Sequence, residues 1–143
     1  MIICQLTNSH AKEIADFFKA NFSDGWTEEM ILSAFSTGRF FSLGAYEQED
    51  LIGVITYSMV DDSMDIEDVV VKIEYRKKSV ASSLLASVFE KLDNTITKKV
   101  LLEVREGNIP AINLYKKFGF NQLSVRKKYY SDGENALVMI KEV

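Results

Sequence analysis

The sequence predicts an α+β fold: a mixed, mostly antiparallel sheet with a splayed parallel strand pair, flanked by helices. Three observations carry that expectation. FFSLGAYEQEDLIGVITYSMV, Phe40 to Val60, reads as two strands around the polar turn Glu47 to Asp50, which is a hairpin. Downstream, a strand ending in Val69-Val70-Val71 is followed by a helix, another strand and another helix, an order that requires one parallel strand pair. Finally, Asp132-Gly133 lies between two apolar runs, where Asp-Gly favours a closing hairpin.

Taken in order, ICQLT (Ile3 to Thr7) suits a first strand. Thr7, Asn8 or Ser9 then caps a helix whose Ile14, Ala15, Phe17 and Phe18 recur at helical spacing. Thr27 followed by Glu28 and Glu29 marks a second helix start, with acid in the positive first turn. Met30, Ile31, Ala34 and Phe35 form its expected inner face, and Gly38 its stop. MDIEDVVV adds a third strand to the meander, and its continuous apolar end is what a strand covered on both faces requires. Val80, Leu84, Leu85, Val88, Phe89 and Leu92 then share one side of a helix. KKVLLEVRE is a strand, and PAINLYKKFG a helix striped by Ala111, Leu114, Tyr115 and Phe118. Pro110 sits in its first turn, where the missing N–H costs nothing, and Gly119 ends it. Two last strands flank Ser131 to Asn135. No linker, repeat or low-complexity segment interrupts the chain, so residues 1–143 are expected to form a single domain.

Composition narrows the function classes. The 143 residues are 47% apolar and 27% charged, enough for one core without staples. No run of about 18 apolar residues is present, so no membrane span is expected. The first residues, MIICQLTNSHAKE, lack a basic start and a long apolar stretch, so no signal peptide is expected either. The single cysteine, Cys4, has no disulfide or metal partner, which points to a reducing cytoplasm and no metal site. A net charge of −4 argues against a nucleic-acid partner. His10 is the only histidine, so no catalytic triad can be built.

Charge is nevertheless clustered: acid in Asp61 to Asp68, base in Arg76 to Lys78 and again in Arg126 to Lys128. The first basic cluster opens RKKSVASSLL, a turn at the start of a helix. Helix N-termini present unpaired N–H groups and partial positive charge, so this turn is a candidate anion site. It lacks the glycine that usually lets backbone approach a phosphate, but Ser79, Ala81, Ser82 and Ser83 are all small. An ordinary helix start with a solvated basic turn is the alternative.

The same segment resembles motif A of the GNAT family of acyl-CoA-dependent N-acetyltransferases, Q/R-x-x-G-x-G/A after a strand. Arg76 fits the first position and Ala81 the last, while Ser79 replaces the glycine. LEVREGNIPAINLYKKFGF, Leu102 to Phe120, is similar to the family's second motif. RKKYYSDGENALVM, Arg126 to Met139, resembles the closing R-x-x-YY-x-DGEDAxxM of the RimI-type branch, with Asn135 in place of the last aspartate. FSDGWTEEMI resembles the segment that those enzymes carry near the acceptor.

The resemblance implies an acetyl-CoA-dependent N-acetyltransferase working by direct transfer in a ternary complex. Its acceptor would be a protein N-terminal α-amine, as in the ribosomal-protein substrate of the RimI type. A small amine such as a polyamine, or a weak acyl-CoA-binding module without catalysis, are the alternatives. In the cofactor site, the backbone of Lys77, Lys78, Ser79, Val80, Ala81 and Ser82 would hold the pyrophosphate of acetyl-CoA. Val69, Val70 and Val71 would offer the strand that pairs with the pantetheine arm, and Asn108 would contact the cofactor or else cap the following helix.

Transfer to an amine needs a neutral nucleophile, a polarised thioester and a protonated leaving thiolate. An α-amine, with a reference pKa near 8, needs only a modest base; a lysine near 10.4 needs more. Glu103, in the otherwise apolar strand LLEVR, is the expected base, in a poorly solvated place that would raise its pKa. Glu67 on the preceding strand is its rival. Tyr115, on the inner stripe of its helix, is the expected acid toward the thiolate. Trp26, Glu67 and Tyr130 are expected to wall the acceptor, with the acidic run Asp61 to Asp68 attracting a basic peptide.

Overall fold

A single sheet of seven strands, in the order β1-β2-β3-β4-β5-β7-β6, organises the computed structural model, which describes residues 1–22 and 26–143. The strands are β1 (Ile2–Leu6), β2 (Phe40–Glu47), β3 (Asp50–Val60), β4 (Ser63–Val71), β5 (Lys99–Arg105), β6 (Asn121–Arg126) and β7 (Ala136–Glu142). The α-helices are α1 (Ala11–Asn21), α2 (Glu28–Ser36), α3 (Val80–Lys91) and α4 (Ile109–Lys117). β4 and β5 pair in parallel over Ser63↔Lys99 to Ile66↔Leu102, while β4 itself continues to Val71. β1–β2, β2–β3, β5–β7 and β6–β7 are antiparallel. The mixed sheet and its one parallel connection are those expected from sequence.

The chain divides into two compact units, Met1–Met59 with Glu67–Leu92 and Val60–Ile66 with Asp93–Val143. In the first, Ala11, Ile14, Phe17 and Phe18 of α1 pack with Leu6, Ile31, Leu51, Val54 and Val70. Gly53, the neighbour of Val54, points the other way, as adjacent strand residues must. A Cβ added there would lie 2.8 Å from Val80 Cγ1 and 3.1 Å from Leu84 Cδ1 of α3. Helices therefore cover both faces of β3, and glycine is what lets α3 settle against it.

In the second unit β5 alternates, with Val100, Leu102 and Val104 buried and Glu103 on the opposite, exposed face. β7 is buried from Ala136 to Met139, whereas the outer strand β6 is exposed throughout. Tyr115 of α4 meets Phe120 edge-on at 5.9 Å.

Several local expectations are corrected. The first helix starts at Ala11, after a 3-10 turn at Asn8–His10, and His10 Nδ1 accepts the Thr7 N–H at 3.0 Å. Thr27 does cap α2, its Oγ1 accepting from the Met30 N–H, but Met30 is 53% exposed and only Ile31 is fully buried. Of the valine triplet, only Val70 is fully buried; Val69 and Val71 are half-buried. The stripe of α4 is led by Ile112 and Tyr115 rather than by Ala111 and Leu114. The closing strands stop at Arg126 and resume at Ala136, so the motif RKKYYSDGEN is mostly connection, with Gly133 at φ +88°.

Candidate functional site

The turn after β4 adopts the conformation that glycine would give it, without glycine. Ser79 stands at the N-cap of α3 with φ +66° and ψ +16°, and Lys77 is also left-handed at φ +62°. L-residues pay for such geometry, about 1 kcal/mol each, because Cβ crowds the following carbonyl. A left-handed residue running into a right-handed helix turns successive N–H groups toward one concavity, the arrangement of an anion nest. The Ser79 side chain makes no capping bond, so the first-turn N–H groups of α3 have no side chain closing over them. Lys77, Lys78 and Ser79 are exposed, Val80 is buried, and Ala81 and Ser82 are half-buried. Exposed N–H groups beside two ammonium side chains fit a pyrophosphate. One detail was not foreseen: Arg76 Nε donates to the Val71 carbonyl at 3.2 Å, so that this expected backbone partner already serves a guanidinium.

Just ahead of that turn, β4 carries two adjacent carboxylates. Glu67, exposed, accepts from the Ser58 hydroxyl at 2.8 Å, and Asp68, half-buried, accepts from the Thr56 hydroxyl at 3.0 Å. Ser58 and Thr56 lie two apart on β3 and so share a face, whereas consecutive residues normally point to opposite faces. Glu67 and Asp68 each reach one of these two hydroxyls. Burial pushes the Asp68 carboxyl above its ordinary value and the Glu67 charge adds to this, while hydrogen bonds from Thr56 and the Trp26 indole pull it down. Trp26 itself is half-buried, packed against the α1 cluster, with its ring 5.3 Å from Phe40.

The second unit holds the other expected residues. Glu103 does not sit in a poorly solvated place: strand alternation sends it outward, and its Oε2 pairs with Arg126 Nε at 3.0 Å. Arg126 also lies 5.7 Å from the ring of Tyr129. Tyr115 is 8% exposed on α4. Asn108 caps that helix, its Oδ1 accepting from the Ala111 N–H at 3.3 Å, which is the structural alternative raised for it. Tyr130 is half-buried beneath Arg105, whose guanidinium carbon is 4.0 Å from the ring centre. Burial raises the Tyr130 hydroxyl; Arg105 opposes this and the nearby Glu103 charge reinforces it.

Sequence reasoning missed the frame around these groups. Arg105 Nη1 binds Asp132 and Glu134, both at 2.9 Å, and Glu134 also accepts the Gly107 N–H at 2.8 Å. Asn135 accepts from the Lys128 N–H at 2.9 Å and donates to Glu106 at 3.2 Å. An aspartate could not make that second bond, which gives the departure from the motif a physical reason. Asp68 was also passed over, because within an acidic run nothing in sequence separates a half-buried carboxylate from exposed ones. No group of side chains suited to a metal ion occurs among the described residues.

Comparison with known proteins places these features in context. Residues 9–120 match the acetyltransferase (GNAT) family. A putative [ribosomal protein bS18]-alanine N-acetyltransferase of Bacillus subtilis is 33% identical over 122 residues, 84% of this chain and 81% of that protein. An N-alpha-acetyltransferase of Saccharolobus solfataricus is 42% identical over 69 residues, 48% of this chain and 41% of that protein. The crystal structure of the ribosomal-protein-S18-alanine N-acetyltransferase from Escherichia coli superposes with a TM-score of 0.90 at 23% identity, covering 99% of this chain and 93% of that one.

Proposed function

As the chain belongs to the acetyltransferase (GNAT) family, it is an acetyl-CoA-dependent N-acetyltransferase, and we propose that its acceptor is the N-terminal α-amine of a basic protein. The relatives named for a ribosomal-protein alanine and for N-alpha acetylation support that acceptor class. The observation that carries the cofactor half is the turn before α3, where Ser79 and Lys77 hold a glycine-like backbone beside exposed lysines.

On this reading residues 1–143 act as one acetyltransferase domain. Lys77 to Ser82 hold the pyrophosphate through backbone N–H groups, and Val69 to Val71 give the pantetheine arm a strand edge. Asn108 orients α4 and touches the cofactor from its cap position. Glu103 removes a proton from the amine, directly or through water, and Tyr115 protonates the departing thiolate. The Arg126 pair fixes the direction of the Glu103 side chain, and an α-amine needs only a modest base. Trp26, Glu67 and Tyr130 line the acceptor.

The test is an acceptor screen that follows the released coenzyme A thiol. Short basic peptides with a free alanine or serine N-terminus should be acetylated and polyamines should not. Glu103→Gln should lower kcat by about a hundred-fold or more, the usual contribution of a positioned base. Turnover of polyamines with silence on every peptide would overturn the acceptor assignment.

A further inference from the structure

Asp68 is a carboxylate that the mechanism above does not use, and its surroundings differ from those of every other acid in its run. Asp61, Asp62, Asp65 and Glu67 are exposed, whereas Asp68 is half-buried. It is held from two other elements: by the hydroxyl of Thr56, itself 0% exposed on β3, and by the indole of Trp26 ahead of α2. The row continues across the sheet, because Thr56 pairs with Ser42 of β2, also 0% exposed, whose hydroxyl is satisfied by the Ile55 carbonyl. Ser42 and Thr56 are two of only three fully buried polar residues among the described residues. Polar groups buried this deeply are costly unless hydrogen-bonded, and Asp68 is the partner that satisfies Thr56.

The position along β4 gives the chemistry. If the pyrophosphate lies at Lys77 to Ser82 and the pantetheine arm runs back along Val71 to Val69, then the reactive end of the cofactor lies toward Asp68. Three residues of strand take it about 10 Å from Val71. Two donors occupy roughly half of a carboxylate's acceptor capacity, leaving oxygen lone pairs for a further N–H. Thr56 and Trp26 are neutral donors, and among the described residues the charge that acts on Asp68 is that of Glu67 on the same strand, also negative. The locus therefore selects a cation, and the reaction's second substrate enters as one.

We infer that Asp68 receives the acceptor's charged amine: held by Thr56 and Trp26, its carboxylate takes one N–H of the α-ammonium and thereby sets acceptor affinity. This rests on the acetyltransferase reading but not on the choice of Glu103 as base. Burial makes the interaction stronger than the same contact with an exposed acid.

The experiment uses the full chain, an alanine-initiated basic peptide and the same peptide lacking its α-amine. Wild-type protein saturated with coenzyme A should bind the amine-bearing peptide at least roughly ten-fold more tightly than the desamino form, and Asp68→Asn should abolish most of that difference. In turnover, Asp68→Asn should raise the peptide KM about ten-fold while leaving acetyl-CoA affinity unchanged, which also reports that the variant is folded. Thr56→Val, which removes one donor at nearly constant volume, should move the peptide KM in the same direction by less. Equal discrimination between the two peptides by wild type and Asp68→Asn would overturn the assignment. Failure of the wild-type protein to use any peptide would instead overturn the acceptor reading, and the role of Asp68 with it.

Discussion

At the residue scale, Ser79 holds a conformation that its side chain resists. Glycine there relieves the clash but loses more entropy on folding, so Ser79→Gly should stabilise by a net amount of about 0.5–1 kcal/mol. Thermal melting should rise by roughly 2–3 °C for a chain of this size. Acetyl-CoA affinity by calorimetry should change little, because the backbone path already exists; Ser79→Glu, placing a carboxylate among the N–H groups, should abolish binding. Asp68 gives a prediction of opposite character. Its folded carboxyl is raised above the unfolded value, so the folded state holds the proton more tightly. Its contribution favours folding at low pH and is lost as pH climbs from the ordinary carboxylate value through the raised one. Asp93 and Asp132 are lowered and work the other way, so the informative quantity is the difference between proteins. Asp68→Asn should gain melting temperature relative to wild type as pH rises from about 4 to 8, even while acceptor binding suffers. The candidate site was legible in sequence as motifs: the turn, Glu103, Tyr115 and Asn108 were named, and their proposed roles follow from those motifs. What stayed hidden was environment. The LLEVR pattern suggested a withdrawn glutamate, but alternation turns Glu103 outward to Arg126, a partner 23 residues along that no local pattern could supply.

At the scale of elements, the seat of α3 depends on Gly53. Gly53→Ala would push a methyl to 2.8 Å from Val80, in the first turn of the helix that follows the proposed phosphate loop. Val80 and Leu84 are almost fully buried and have little room to yield, so a cost of about 1–3 kcal/mol is expected. Because the displacement falls at the start of α3, acetyl-CoA affinity should drop along with chemical stability, a pairing that calorimetry and urea titration can check together. Most elements were readable because each had both a period and a stop: Thr27 caps α2, Gly38 and Gly119 end helices in left-handed backbone, and Pro110 opens α4. Met30 was misread as inward because the apolar pair Met30-Ile31 fits two adjacent helix faces, and only packing chooses between them. The closing hairpin was misjudged in length because Asp132-Gly133 signals a tight turn, whereas Arg105 draws Asp132 and Glu134 away from strand pairing.

At the scale of the whole molecule, a net charge of −4 coexists with a basic turn at Arg76 to Lys78 and an acidic stretch at Asp61 to Asp68. Exposed charges act over about 10 Å at 0.1 M salt, so attraction of a basic acceptor should be salt-sensitive. The KM for a basic peptide should rise several-fold between about 0.05 and 0.3 M salt, relative to a neutral peptide of the same first residues. Equal salt dependence for both would remove any steering role from the acidic stretch. The sheet order, with β7 inserted between β5 and β6, was not derivable from local pattern, since nothing short-range says on which side a returning strand will pair.

The connection between β6 and β7 has one more consequence. Asn135 ties it to Lys128 and Glu106, Arg105 ties it through Asp132 and Glu134, and Tyr130 is clamped under the same guanidinium. A segment so anchored has surrendered its freedom during folding rather than at the moment of encounter. In its proposed place beside the acceptor it is a finished wall to an incoming chain end: association should be quick, poorly shaped partners should leave quickly, and selectivity should reside in residence time.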